Sequence, residues 1–238
     1  MNNYLLIYIS HYIYMSNKLS QEKLRLICIN LSDEIKKGDK FLNNNDVTIF
    51  NSSIIEINKS NNLLIASRGF YGDVRSWDGI NFIILSLFTN KLKKLKQNIL
   101  DIDPRVIQNQ SLKFKELKGK LIPHGETMLE GPEDPRLFYH KGDIFIMINE
   151  LTKDKKRHMF IAKVDLGTLS YTDKMELCEP LSSDFEKNWG SFIYKKKLHM
   201  LYDINPLKVF ELDDDFKCKM KINVNDKILK KLGESYPD

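Results

Sequence analysis

The chain has 238 residues, 42% hydrophobic and 29% charged, with a formal net charge of +5. That length suits one large domain or two small ones at most, and the apolar content excludes wholesale disorder. Only six of the 37 basic residues are arginine (positions 25, 68, 75, 105, 136 and 157), and the lysines are scattered rather than interleaved with aromatics. This speaks against a nucleic-acid partner; the abundance of Lys, Asn and Ile is the bias an AT-rich genome produces.

Tyr4 to Met15 is an uncharged apolar and aromatic run. It is shorter than the roughly 20 residues that span a bilayer, and no Lys or Arg precedes it as in a secretory leader. Residues 1–17 are therefore expected to be a flexible or mis-annotated extension, followed by a single domain over 18–238, with no membrane span. Leu24 to Ile29 reads as a short strand and Leu31 to Lys37 as a helical turn ended by Gly38-Asp39. Asn43-Asn44-Asn45-Asp46 is a turn cluster. Val47 to Ile57 and Leu63 to Ala66, joined across Lys59–Asn62, read as a hairpin. Phe82 to Phe88 is apolar enough to be buried on both faces. Lys91 to Gln97 reads as a short basic helix or a loop.

Two later segments repeat. Leu137 to Ile148 and Ser191 to Tyr202 align without gaps at an offset of 54 residues, Phe138 on Phe192 and Ile146 on Met200. Each continues into a second hairpin: Met159 to Val164 with Ser170 onward, and Val209 to Leu212 with Phe216 to Ile222. Two hairpins per repeat make a four-stranded antiparallel unit, which is the pattern of a β-propeller blade. A β-sandwich with two similar hairpins is the alternative. Cys28, Cys178 and Cys218 have no metal-ligand spacing and the five histidines form no metal pair, so no structural metal and no cofactor is expected. Reduced thiols fit a reducing, cytoplasmic compartment.

The densest polar cluster is Glu130-Gly131-Pro132-Glu133-Asp134-Pro135-Arg136, preceded by His124-Gly125-Glu126. In a propeller the loop leading into an innermost strand lies at the mouth of the axial channel. Two adjacent carboxylates and an arginine there make an acid/base and anion-binding candidate; the alternative is a turn whose acids cap backbone N–H groups while Arg136 makes a salt bridge. One repeat later stands Asp184-Phe185-Glu186-Lys187-Asn188-Trp189, with Asn188 aligned on Asp134. An exposed Trp189 would be a platform for sugar rings; the alternative is a core tryptophan between blades. Arg68, after the first hairpin, is a candidate for an anion or a sugar hydroxyl, or else a surface residue near a turn.

Gly131-Pro132-Glu133-Asp134-Pro135-Arg136-Leu137-Phe138 resembles the Glu-Asp-Pro-Arg signature of glycoside hydrolase family 130, and Phe185-Glu186-Lys187-Asn188 resembles that family's Glu-Lys-Asn segment. The resemblance implies an all-β, five-bladed propeller, of which about four blade-like units are legible here. It also implies a C-terminus that falls before a fifth blade is complete. It further implies an enzyme that cleaves or transfers a glycosidic bond of a β-mannoside or related glycan. Asp134 would be the proton donor of an inverting mechanism, with Glu133 beside it as the second catalytic residue. Arg68, Arg136, Lys187, Asn188, Trp189 and Asp203 would bind substrate, with inorganic phosphate as the optional co-substrate. No Arg or His stands beside Pro206, where phosphorylases of the family carry a basic residue. A non-catalytic glycan-binding propeller, or an accessory domain in glycan assembly, is the alternative. Exposed edge strands would give a homodimer a ready surface.

Overall fold

The computed structural model describes residues 30–44, 46–58, 60–73, 78–102, 131–152, 156–177, 188–204 and 206–224. The expected strand at Leu24 to Ile29, the extension over 1–17, Lys187, Cys28 and Cys178 lie outside them.

One short helix, α1 (Leu31–Lys36), precedes three antiparallel sheets. The first has the order β1 (Val47–Ile57), β2 (Asn62–Asp73), β3 (Asp78–Phe88) and β4 (Lys94–Leu100). The second runs β5 (Glu133–His140), β6 (Asp143–Leu151), β7 (Arg157–Asp165) and β8 (Ser170–Tyr171), with β9 (Met175–Glu176) also on β7. The third runs β10 (Gly190–Tyr194), β11 (Lys197–Ile204), β12 (Leu207–Leu212) and β13 (Cys218–Val224). Each is a simple up-and-down blade, and the two hairpins that align in sequence open the second and third. The all-β propeller class is thus met, with three blades among the described residues where about four units were expected. Of the Lys91–Gln97 stretch, read as helix or loop, residues 91–93 are loop and Lys94 onward is corrected to strand: β4 zips onto β3, pairing Ile83 with Leu100 and Leu87 with Lys96. An open edge beside a buried strand outweighs the weak strand preference of lysine.

The blades stack through separate cores, which excludes a two-layer sandwich. Leu64, Ile83, Leu85, Ile144, Ile146, Ile148 and Val164 fill the space between the first and second blades. Met147, Met159, Ile161, Trp189, Leu198, Met200 and Phe210 fill that between the second and third. On the outward face of the first blade, Leu31, Ile35, Phe41 and Leu42 pack over Val47, Ile65, Tyr71, Phe82 and Ile84, so α1 and its following turn cap the stack. The first strands of consecutive blades, β1 with β5 and β5 with β10, are neighbours, as innermost strands around a shared axis must be. Polar ties reinforce the stack at the rim: Lys174 Nζ bridges Glu150 at 2.6 Å and Asp101 at 3.2 Å, and Tyr171 donates to Asp101. Burial acts to lower the Lys174 pKa, but the two carboxylates outweigh it and hold it above its usual range.

Candidate active site

The two innermost strands β1 and β5 carry the same irregularity. Phe50 faces Arg68 and Ser53 faces Ala66, so β1 holds one extra residue over β2. Glu133 faces Asn149 and Arg136 faces Met147, which gives β5 the same bulge over β6. The bulged residues are Asn51 (φ +48°) and Asp134 (φ +49°), both left-handed. Asn and Asp tolerate that region better than other side chains. Asn188, 54 residues after Asp134 and just before β10, is left-handed as well (φ +65°) and exposed. A bulge re-aims a side chain out of the sheet's alternation, and here it turns Asp134 toward its counterpart on the neighbouring blade. Asn51 Nδ2 donates to Asp134 Oδ1 at 2.7 Å.

Beneath Asp134 lies a buried charge cluster. Arg68, 7% exposed, sits with its guanidinium carbon 4.9 Å from the Phe50 ring centroid. It donates from Nε to Asn81 Oδ1 (2.8 Å) and from Nη1 to Asp134 Oδ1 (3.1 Å), and pairs through Nη2 with Glu133 Oε1 (3.0 Å). Arg157, 5% exposed, reaches the same Glu133 Oε1 at 2.9 Å and donates to Asn149 Oδ1 at 2.7 Å. Burial pushes the Arg157 guanidinium pKa down, opposed by the charge of Glu133. Asn81 Nδ2 adds a third donor to Glu133 at 3.2 Å. Two guanidiniums thus face two carboxylates, which is the condition for charges to persist in a poorly hydrated place.

The loop is pressed onto this cluster by Gly131. Its φ is +78°, and a Cβ there would lie 2.1 Å from the Asn81 carbonyl oxygen. Only glycine permits that approach.

The sequence-derived candidates divide accordingly. Glu133, Asp134 and Arg68 come together. Glu133 is clamped from three sides and only 19% of its side chain is exposed, so its place is that of an anchor, whereas Asp134 keeps 28%. Arg68 is held by Asn81, Glu133 and Asp134. Arg136 is exposed on β5. Asp203 is partly buried on β11, opposite Lys208, whose Nζ lies over the Tyr202 ring at 5.4 Å. The expectation of an exposed Trp189 is corrected: it is 1% exposed and packs edge-on to Tyr202 (5.2 Å) and against Phe210 (5.8 Å). An indole has the largest apolar surface in this stretch, and the inter-blade core takes it. Sequence reasoning missed Asn51, Asn81, Asn149 and Arg157. Arg157 stands at the end of a lysine-rich run, residues 153–157; the scarcity of arginine was the signal that could have separated it. A cleft of about 810 Å³ lined by Asn58, Tyr139, Asp143, Lys163 and Thr172 lies at the far end of β5, away from this chemistry.

No protein-family model matches the chain, and no curated protein matches it. Solved structures do show likeness. A family 117 glycoside hydrolase produced by the marine bacterium Zobellia galactanivorans is 12% identical, with a TM-score of 0.48 over 75% of this chain and 46% of that one. A structure from the family 130 mannoside phosphorylases and hydrolases, described as targeting β-1,2 mannosidic linkages in Candida mannan, gives 12% and 0.48 over 74% and 49%. A family 43 β-1,3-galactosidase bound to galactodeoxynojirimycin gives 11% and 0.48 over 79% and 62%. The chain spans about half the length of the first two. The likeness is one of fold, and the fold itself rests on the three blades described above.

Proposed function

We propose that this chain acts on a glycan at the Asp134 bulge, cleaving or transferring a glycosidic bond of a β-mannoside or related sugar with inversion. One observation carries the reading: an inner-strand carboxylate held in a left-handed bulge, partly open to solvent, over a buried two-arginine cluster. Strain and buried charge of this kind gather where geometry matters more than stability. The Glu-Asp-Pro-Arg resemblance supports the same assignment, and the glycoside hydrolases among the structures of similar fold accord with it.

In this reading Asp134 is the group that handles the proton. Both of its contacts fall on Oδ1, so Oδ2 is the oxygen that meets the glycosidic oxygen. Glu133 is a positioning residue, since two guanidiniums and an amide occupy it. That leaves Asp134 as the carboxylate of this cluster with room to exchange a proton. Hydrolysis with inversion uses two, roughly 6.5–9.5 Å apart, one to activate water. Phosphate as nucleophile would arrive ionised and need no such base; Arg136, exposed on β5, and Lys187 are the cations proposed to meet it. Asn188 and Asp203 orient hydroxyls.

The test is release of mannose or mannose 1-phosphate from a panel of β-mannosides, with and without phosphate, with the product anomer read by NMR. Release of the α-anomer is expected, and its dependence on phosphate identifies the nucleophile. Retention of configuration would contradict the mechanism. The second reading, glycan binding without catalysis, draws on the saturation of Arg68 and Glu133. It predicts sugar binding without turnover, and unchanged binding in Asp134→Asn.

A further inference from the structure

The outward face of the third blade repeats, residue for residue, a face that is an interface elsewhere in the molecule. On the second blade Phe138, His140, Phe145, Met147 and Ile161 face the third. The 54-residue offset carries the first four onto Phe192, Tyr194, His199 and Leu201, and strand pairing carries Ile161 onto Val209. The ring geometry repeats too. Phe138 stacks on Phe145 at 5.8 Å and 21°, and Phe192 stacks on His199 at 5.3 Å and 22°. His140 tilts against Phe145 at 6.1 Å, and Tyr194 meets His199 edge-on at 5.9 Å. Among the described residues no sheet covers this second face: Phe192 is 41% exposed, Tyr194 56% and Ile222, beside Val209, 39%. The opposite end of the stack is closed by α1 and Phe41, so copies cannot add head to tail.

We infer that this face is the interface of a homodimer, in which two third blades pack face to face about a two-fold axis parallel to their strands. The argument for a second copy is charge. At one end of the blade the β10–β11 turn carries Lys195 and Lys196, followed by Lys197, and the β12–β13 turn carries Asp213, Asp214 and Asp215, all exposed. Lys197 pairs with Glu211 and Asp214 with Lys141 within the chain, so Lys195, Lys196, Asp213 and Asp215 carry the charge offered to a second copy. The turns belong to opposite halves of the sheet order β10-β11-β12-β13. A two-fold axis along the strands reverses that order, placing β10 of one copy opposite β13 of the other. Each basic turn then meets an acidic turn, twice over, with the aromatic strip between them. An isologous contact has this self-complementarity. A four-stranded face roughly 15 Å wide and 20 Å long covers about 300 Å² per copy, below the size of standard stable interfaces, so the dimer is a weak one that dissociates at micromolar or higher concentration.

The test is the mass of the purified full chain, by light scattering or sedimentation, from about 1 to 100 μM, a range that brackets that affinity. The expected mass rises toward twice 27.9 kDa. Phe192→Asp is expected to weaken dimerisation at least tenfold, with circular dichroism confirming the fold. Lys196→Glu and Asp215→Lys are each expected to weaken it about threefold or more, and the double variant to restore it. A wild-type mass of 27.9 kDa throughout the range overturns the inference. So does a dimer indifferent to Phe192→Asp, a charge pair that fails to rescue, or a monomeric chain that takes a different sheet-bearing polypeptide on this face.

Discussion

Arg157 and Glu133 pose a clear question at the scale of single residues, because each is nearly enclosed and each needs the other. An intact buried pair adds little net stability, since desolvation offsets attraction. Deleting one partner strands the other charge and costs about 3–5 kcal/mol. Arg157→Met, which keeps most of the side-chain volume, is therefore expected to lose stability on that order in urea unfolding. Adding Glu133→Gln should recover part of it. A loss below about 1 kcal/mol would mean that the cluster is hydrated and does not hold the bulge. Arg157 also shows why the site was only half legible. Glu133, Asp134 and Arg68 stand in conspicuous company in the sequence, whereas the residues that lock them, Asn81, Asn149 and Arg157, are isolated polar positions. Only strand register brings them together.

Elements carry two further expectations. The Lys141-Gly142 and Lys195-Lys196 turns are two-residue hairpin loops whose residues all have positive φ, the geometry that matches strand twist. The second makes this turn without glycine. A non-glycine residue held left-handed costs roughly 1–2 kcal/mol, so Lys196→Gly is expected to stabilise the chain by about 1 kcal/mol, seen as a rise of about 2–4 °C in Tm. A fall in Tm would show that the turn is not under this strain. The hairpins themselves were legible, because alternation and the repeated segment mark them. Strand β4 was not, because its lysines are dictated by the solvent side of an edge strand and not by the partner it pairs with.

His140 ends β5 against Phe145 and Phe216. Burial, then the nearby Lys141, pushes its pKa below the ordinary 6.5. With the folded value depressed, the unfolded chain takes up the proton first as pH falls. The stabilising effect of neutral His140 is thus present above about pH 6.5 and is lost progressively below it. The denaturation midpoint of the wild type should fall relative to that of His140→Phe as pH drops from 7 to 5, with the variant the less pH-sensitive. Parallel curves would remove His140 from this role.

At the scale of the whole molecule the sequence announces a repeat, and the repeat explains more than the fold. The same 54-residue offset that aligns two hairpins also aligns the left-handed Asp134 and Asn188, and the stacked rings of two blade faces. The first blade shares the bulge but not the sequence: Phe50-Asn51-Ser52-Ser53 has no letter in common with Glu133-Asp134-Pro135-Arg136, so Asn51 stayed hidden until register placed it. Trp189 misled for the opposite reason. An aromatic ring beside polar residues at the start of a blade fits both a sugar platform and a core, and sequence holds nothing that separates the two. Burial does.

The central claim is that Asp134 is the reacting carboxylate of a glycan-active site. It is tested most directly by the turnover of β-mannosides by wild type and Asp134→Asn under identical conditions, with thermal unfolding of both proteins measured alongside. The substitution keeps shape and removes only the capacity to exchange a proton. The account predicts measurable turnover in the wild type and a fall of about 10²–10⁴-fold in the variant, with Tm little changed. Equal turnover in the two folded proteins would contradict it.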